Sequence, residues 1–142
     1  MPTADPPASE PRLIELPKFL DPRGNLTFIE GEAHIPFPIR RAYWIYDVPG
    51  GERRGGHAYR ELEEFIVALS GSFEVVVDDG ANPRTFGLNR SYVGLYVPGR
   101  LWRALENFST NAVCLILASR AYDEADYIRD RAEFEALTGA RG

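Results

Sequence analysis

One stretch of the chain places an imidazole, a phenol and a carboxylate at a spacing that has chemical meaning. Gly51 is followed after five residues by His57, and Tyr59, Glu64 and Gly71 continue the pattern. The same spacing, with a second histidine at the position of Tyr59, supplies two imidazoles and a carboxylate to a divalent metal ion. Here one imidazole ligand is replaced by a phenol, so the stretch keeps only part of a metal site.

A second stretch, Ser91 to Asn107, shows the same kind of replacement. Pro98 and Asn107 fit a frame in which a further histidine lies four residues before the asparagine, and that position holds Arg103. A guanidinium stays protonated and has no free lone pair, so it does not coordinate a metal ion. The other histidine, His34, lies in a Pro-flanked loop and is not an obvious substitute. The sequence therefore predicts no metal and no cofactor.

Composition limits the possible classes of function. The chain of 142 residues fits one domain, which we predict over 12–142, after a disordered lead-in over 1–11. A net charge of -5 argues against a general nucleic-acid binder, and no apolar run approaches the roughly 20 residues of a membrane span. The single cysteine, Cys114, is predicted to be a buried thiol in a central strand, which fits a reducing cytoplasm.

Short strand signals recur between turns rich in Gly, Pro, Asn and Asp. Only residues Asp130 to Leu137 have a helical composition, with Gly139 as a stop. Many short antiparallel strands with tight turns predict an all-β sandwich or barrel. The strands are expected at Leu13–Leu16, Leu26–Glu30, Arg41–Asp47, Glu63–Leu69, Phe73–Val77, Thr85–Leu88, Tyr92–Val97, Leu101–Phe108 and Val113–Ala118.

The two partial metal patterns together specify the fold more closely. They resemble those of a cupin, and we therefore expect a jelly roll, also called a double-stranded β-helix, with a short C-terminal helix. Side chains two residues apart share a face of a strand, so His57 and Tyr59 are expected to line the barrel mouth together with Arg103. Trp102 is expected on the opposite face from Arg103.

Beyond these patterns, the chain resembles the dTDP-4-dehydro-6-deoxyglucose 3,4-ketoisomerases over roughly residues 12 to 137. The closing segment is the least expected from general cupin patterning. The resemblance is carried by Asp21-x-Arg23-Gly24, Ile39-x-Arg41-x-Tyr43, Arg54-Gly55-x-His57-Ala58, Ser70-Gly71-Ser72, Asp78-Asp79-Gly80, Val93-Gly94-Leu95-Tyr96-Val97, Trp102, Asn107-Phe108-Ser109 and Leu117-Ala118-Ser119-x-x-Tyr122-Asp123-Glu124-x-Asp126-Tyr127-Ile128-Arg129.

The resemblance implies a metal-free cytoplasmic enzyme, usually a homodimer, that acts on a dTDP-linked 4-keto-6-deoxy sugar. It would move the carbonyl from C4 to C3 in deoxyamino-sugar biosynthesis for cell-surface polysaccharide or secondary metabolites. The histidine matching His57 is the proposed base in this family. Many members have His-Ala-His where this chain has His57-Ala58-Tyr59, so any role of the second histidine falls to Tyr59 or is absent.

The remaining roles follow from chemistry together with the resemblance. A neutral imidazole with a pKa of about 6.5 can remove the acidic proton next to a ketone. Fixed donors would then stabilise the enediolate. The donor candidates are Arg41, Arg103 and the hydroxyls of Tyr43 and Tyr59. Arg54 is expected to bind the diphosphate of the nucleotide, and Trp102 or Tyr96 to stack on its thymine base. Arg23 and Arg103 are expected beside the sugar as determinants of the C4 configuration.

Several alternatives stay open at this stage. Arg103 could instead form a buried structural ion pair with Glu64, and Arg23 could be solvated. The loss of the second histidine allows a cupin that binds a sugar nucleotide without turning it over, and a related sugar-nucleotide isomerase or epimerase is a further possibility. A metal-dependent cupin that uses His57, Glu64 and outside ligands is the least favoured. The strand Leu13–Leu16 is a candidate for exchange between subunits.

Overall fold

A computed structural model describes residues 10–138 of the chain, and most of these residues form short strands. The predicted lead-in lies largely outside this range, as does Gly139. In chain order the strands are β1 (Arg12–Glu15), β2 (Lys18–Phe19), β3 (Leu26–Thr27), β4 (Arg41–Tyr46), β5 (Arg54–Tyr59), β6 (Glu64–Ser70), β7 (Phe73–Asp78), β8 (Pro83–Leu88), β9 (Val93–Val97), β10 (Trp102–Glu106), β11 (Val113–Ala118) and β12 (Tyr127–Ile128).

The strands form two antiparallel five-stranded sheets and a small two-stranded sheet. The first sheet has the order β1-β9-β6-β11-β4 and the second has the order β12-β5-β10-β7-β8, while β2 pairs with β3. Neighbours in these orders are far apart in sequence, as in a jelly roll. One 3₁₀ turn (Glu124–Asp126) and one helix, α1 (Arg131–Thr138), follow the last long strand. The predicted all-β cupin fold with a short C-terminal helix is confirmed.

The main core lies between the two sheets. Strand β7 alternates fully and partly buried residues, as the period of two requires when one face meets the core. Its inward side chains Phe73, Val75 and Val77 pack with side chains from the first sheet such as Ile66 and Ile116. Cys114 is fully buried in the same cluster, as predicted for a thiol in a central strand.

Two further apolar clusters cover the outer faces of the sheets. The segment between β1 and β4 lays Leu16, Ile35 and Phe37 over the first sheet. On the second sheet, α1 buries Phe134 against Ala58 and Ile128. Among the described residues no helix is long and apolar enough to cross a membrane.

The predicted strand bounds agree closely with the structure in most places. There are two main differences: β5 (Arg54–Tyr59) was not among the expected strands, and the strand expected over Leu26–Glu30 ends at Thr27. The backbone N–H of Glu30 donates to Nδ1 of His34 at 2.9 Å instead of to a neighbouring strand. The Glu30 N–H is therefore not available for pairing with a neighbouring strand, and the chain turns here instead of continuing the sheet.

Candidate active site

Four strands bring polar side chains from both sheets to one end of the barrel. His57 and Tyr59 lie on β5, and Arg103 on β10 is the direct cross-strand partner of His57. The first sheet contributes Tyr43 from β4 and Glu64 from the first position of β6. The site is therefore built where the two sheets face each other.

Arg103 and Glu64 form a buried ion pair at the centre of this cluster. Nε of Arg103 donates to one carboxylate oxygen of Glu64 at 2.8 Å, and Nη2 donates to the other at 2.9 Å. Both residues are 1% exposed. The Tyr43 hydroxyl donates to Glu64 at 2.7 Å and accepts from Arg103 at 3.1 Å. The alternative in which Arg103 pairs with Glu64 is the arrangement that the structure shows.

A glycine makes room for the guanidinium. Gly55 has a φ of +71°, and a Cβ at this position would lie 2.2 Å from Nη1 of Arg103. The Gly55 carbonyl accepts a hydrogen bond from the same Nη1 at 3.1 Å. Strand β5 carries an extra residue here, because Arg103 pairs with His57 but Leu105 pairs with Arg54. The bulge needs the left-handed backbone that glycine adopts without strain.

The pair is held in its charged form. Burial alone would raise the pKa of Glu64, but the charge of Arg103 and the hydrogen bonds from Arg103 and Tyr43 outweigh burial and lower it. Burial also opposes the charge on Arg103, yet Glu64 raises the pKa of the guanidinium. Burial and the nearby carboxylate raise the pKa of Tyr43, so this phenol stays protonated.

This donor set does not fit a metal ion. Both carboxylate oxygens of Glu64 already accept hydrogen bonds, and the position of a histidine ligand is filled by a guanidinium. Within residues 10–138 no group of three or more His, Cys, Asp or Glu side chains could hold a metal ion. We therefore assign no step to a metal.

Three other polar groups at this end of the barrel have free hydrogen-bonding capacity. Nε2 of His57, the hydroxyl of Tyr59 and Nη1 of Arg41 are buried atoms, and none meets the geometry of a hydrogen bond with a described residue. Tyr127 is their neighbour: against the effect of burial, its phenol raises the pKa of Arg41. His57 is 9% exposed and Tyr59 is 4% exposed. Unsatisfied buried polar atoms are rare because each carries a desolvation cost, and at a functional site they await a ligand.

The environment fixes the protonation state of two of these groups. Burial, followed by the positive charge of Arg103, lowers the pKa of His57 to about 3, so the imidazole is neutral near pH 7. Burial, followed by the charge of Glu64, raises the pKa of Tyr59. The cluster thus offers a neutral nitrogen base beside a protonated phenol.

The C-terminal segment adds a residue that we did not predict for the site. Tyr127 on β12 pairs with Tyr59 across the sheet, and its ring centroid lies 5.1 Å from that of His57. The buried Asp126 anchors this strand by accepting hydrogen bonds from the backbone N–H groups of Glu61 and Leu62 at 2.9 and 3.0 Å. The available signal was the closing segment itself, which carried the most specific part of the resemblance.

Three predicted substrate contacts lie apart from the His57 cluster. Arg23 pairs with Asp21 in a turn and its side chain is 90% exposed. Arg54 is exposed at the start of β5. Trp102 faces outward, where its ring packs against Phe134 at 5.7 Å under α1. The structure brings none of these three to the cluster within this chain, and their contact with substrate stays a prediction.

Comparisons with known proteins place the chain in a family. A family model described as FdtA: WxcM-like, C-terminal matches residues 9–139. The chain belongs to this family. A relative from Aneurinibacillus thermoaerophilus, TDP-4-oxo-6-deoxy-alpha-D-glucose-3,4-oxoisomerase, is 43% identical over 126 residues, which cover 89% of this chain and 91% of that protein.

Solved structures of FdtA-like proteins have the same fold as this chain. A 3,4-ketoisomerase from Helicobacter canadensis is 40% identical with a TM-score of 0.88, over 91% of this chain and 97% of that chain. The 3,4-ketoisomerase QdtA from Thermoanaerobacterium thermosaccharolyticum was solved as a histidine-to-asparagine variant in complex with TDP-4-keto-6-deoxyglucose. It is 34% identical with a TM-score of 0.90, over 92% of this chain and 95% of that chain.

Proposed function

We propose that this chain is a 3,4-ketoisomerase of a TDP-linked 4-keto-6-deoxyhexose. The observation that carries the proposal is the set of three buried groups with free hydrogen-bonding capacity: a neutral imidazole, a phenol and a guanidinium. A base and two donors are what an enolisation needs. Relatives in the same family are 3,4-oxoisomerases and 3,4-ketoisomerases of TDP sugars.

The reaction needs only proton transfers. Nε2 of His57 removes the proton at C3, and the electrons of that bond form the enediolate with its charge on O4. The Tyr59 hydroxyl and Nη1 of Arg41 stabilise this oxygen by hydrogen bonding. A proton then returns at C4, and the hydroxyl proton of O3 is transferred to O4. The product has a ketone at C3 and a hydroxyl at C4, with no net change of atoms or electrons.

The hydrogen bonds within the protein reduce the candidate donors to the enediolate from four to two. Arg103 donates to Glu64, Tyr43 and Gly55, and the Tyr43 hydroxyl donates to Glu64. Four of the five N–H donors of Arg103 and the hydroxyl proton of Tyr43 are thus used within the protein. We therefore assign the stabilisation to Tyr59 and Arg41. Arg103 and Tyr43 hold the frame around them.

The test is product analysis. Purified protein is incubated with TDP-4-keto-6-deoxyglucose, and carbon-13 NMR follows the ketone, while calorimetry with TDP measures binding. Appearance of a C3 ketone supports the isomerase. Binding of TDP without any new ketone would favour the cupin that binds a sugar nucleotide without turnover, and inversion of a carbon centre without ketone movement would favour an epimerase.

We also propose that the enzyme is a cytoplasmic homodimer in deoxyamino-sugar biosynthesis for polysaccharide or secondary metabolites. The outer face of the first sheet supports dimerisation, because Trp44, Tyr46 and Leu69 are each about half exposed there, at 58%, 60% and 48%. Strand β4, which carries two of these rings, is an edge of its sheet. Strand β1 pairs with β9 of its own chain, and its exchange between subunits stays a prediction. A single species of 15.9 kDa in sedimentation would contradict the dimer.

A further inference from the structure

The ring of the proposed base is oriented by aromatic contacts. Nε2 of His57 has no hydrogen-bond partner among residues 10–138. The imidazole instead meets the Tyr59 ring edge-on, with centroids 4.8 Å apart and an interplanar angle of 83°. It meets Tyr127 at 5.1 Å and 49°. The position of the His57 imidazole therefore depends on the groups that hold the Tyr59 and Tyr127 rings in place.

The two tyrosine rings also support each other. Their centroids lie 4.7 Å apart at 62°, so His57, Tyr59 and Tyr127 form a mutual contact of three rings. Tyr59 comes from the same strand as His57, but Tyr127 comes from the far end of the chain. Tyr127 therefore provides the contact that the local strand cannot supply.

The backbone that carries Tyr127 is well fixed. Its strand pairs with β5 at Tyr59 and Ala58, and the preceding Asp126 is 5% exposed and bonded to the turn after β5. Ile128 on the other face is fully buried against Phe134. The ring thus projects from a rigid support.

A cation covers the Tyr127 ring as well. The guanidinium of Arg129 lies 4.1 Å from its centroid, and Arg129 is in turn paired with Glu124 at 2.9 Å. A cation over the ring face is attractive and restricts the motion of the ring. The segment from Glu124 to Arg129 therefore braces one wall of the site.

We propose that Tyr127 is a positioning residue for the base: its ring, rather than its hydroxyl, holds the imidazole of His57 so that Nε2 faces the substrate. This inference rests on the proposed function for its catalytic meaning, although the ring contact itself does not. A displacement of about 1 Å of a reacting group is enough to cost on the order of 100-fold in rate.

The kinetic test compares two substitutions at one position. Tyr127→Phe keeps the ring and is expected to retain kcat within about threefold, whereas Tyr127→Leu is expected to lower kcat roughly 10- to 100-fold with little change in KM. Tyr92→Leu is the matched control. Tyr92 precedes β9 at the end of that strand opposite Val97, the cross-strand partner of Glu64, and its ring lies against Lys18. This substitution makes the same chemical change and is expected to leave kcat unaltered.

A second readout needs no substrate. The chain has two histidines, so ring-labelled histidine gives two resolvable NMR signals, and His34 serves as the internal reference. Loss of the Tyr127 ring exposes the imidazole of His57 to water, so its titration in Tyr127→Leu is expected to shift toward higher pH. Tyr127→Phe is expected to leave the titration of His57 unchanged. This shift is measurable even if the protein does not isomerise the sugar.

Two results would overturn the proposal. One is a Tyr127→Leu protein with normal kcat and a normal His57 titration. The other is Tyr127→Phe as impaired as Tyr127→Leu, which would assign the effect to the hydroxyl. Circular dichroism verifies folding of each variant, and Tyr127→Met, whose side chain is longer and more adaptable, replaces the leucine variant if that protein is unfolded.

Discussion

Two groups of polar side chains share one end of the barrel and differ in how they use their hydrogen bonds. Arg103, Glu64 and Tyr43 bond to one another and to the backbone. The second group, formed by His57, Tyr59 and Arg41, leaves a nitrogen, a hydroxyl and a guanidinium nitrogen without partners in the described part of the chain. Each group combines two buried residues with one of intermediate exposure, Tyr43 in the first and Arg41 in the second, so exposure does not distinguish them.

We infer from this difference that the first group supports the site, while the second group contacts the reacting sugar. A buried charged pair that already uses most of its hydrogen bonds within the protein is compensated before the substrate binds. A buried group with an unused donor or lone pair gains most when charge develops next to it. In a metal-binding cupin the positions of Glu64 and Arg103 would hold the ion, and here an internal ion pair fills them.

Removing one partner of the ion pair is expected to have the largest effect on stability. Glu64→Gln leaves the Arg103 charge buried without its counter-ion, and we expect the free energy of unfolding to fall by about 3–5 kcal/mol. Urea denaturation measures it. Glu61→Gln is the control, because Glu61 is exposed and a change at the surface is expected to stay within about 0.5 kcal/mol. A loss below about 1 kcal/mol for Glu64→Gln would mean that the pair is not the frame of the site.

The two tyrosines allow a direct contrast within the site. Tyr59→Phe removes an unused donor and is expected to lower kcat by about 100- to 1,000-fold, as for the loss of one oxyanion donor. Tyr43→Phe removes a donor that Glu64 already occupies, and it is expected to cost about 1–3 kcal/mol of stability with a smaller loss of kcat. Steady-state kinetics and urea denaturation of both variants decide the matter. A larger kcat loss in Tyr43→Phe would reverse the assignment.

The pH dependence of stability reports the burial of His57. Its folded pKa of about 3 lies below the ordinary value of 6.5, so the unfolded chain binds more protons between these limits. Stability is therefore expected to fall as the pH is lowered from about 6.5 toward 3, by at most about 1.4 kcal/mol per pH unit from this group. The difference between wild type and His57→Asn in urea denaturation isolates the contribution. A difference that stays flat across this window would show that the imidazole is not desolvated.

Chelation is expected to have no effect on turnover. A guanidinium fills one ligand position, and the Glu64 oxygens are already hydrogen-bonded, so the site lacks the ligands for a divalent ion. Activity after dialysis against EDTA, compared with activity after addition of zinc or manganese, tests this. Loss of activity on dialysis with recovery on adding metal would restore the metal-dependent alternative.

Much of the fold was predictable because strand parity is a local property. The period of two placed His57 and Tyr59 on one face of β5 and turned Trp102 away from Arg103 on β10, and the structure agrees on both points. The outward ring of Trp102 packs against Phe134 under α1. The strand over Leu26–Glu30 was too long because a histidine side chain, not a neighbouring strand, accepts the N–H of Glu30.

The division of labour within the site was not predictable from spacing. The sequence offered Arg103, Arg41, Tyr43 and Tyr59 as equivalent donors, since it does not give the direction of a guanidinium or the partner of a hydroxyl. Tyr127 was missed for a related reason. Its two-residue strand has no periodicity of its own and is placed by Asp126, which bonds to a turn more than 60 residues earlier in the chain.

The most direct test of the account is solvent exchange at the sugar. Proton NMR of TDP-4-keto-6-deoxyglucose in deuterated water is followed with wild type and with His57→Asn. We expect deuterium at C3 and a new 3-keto sugar with the wild type, and neither with His57→Asn, although the variant still binds TDP. Exchange at an undiminished rate in the variant, or binding by the wild type without exchange, would contradict the assignment of His57 as the base.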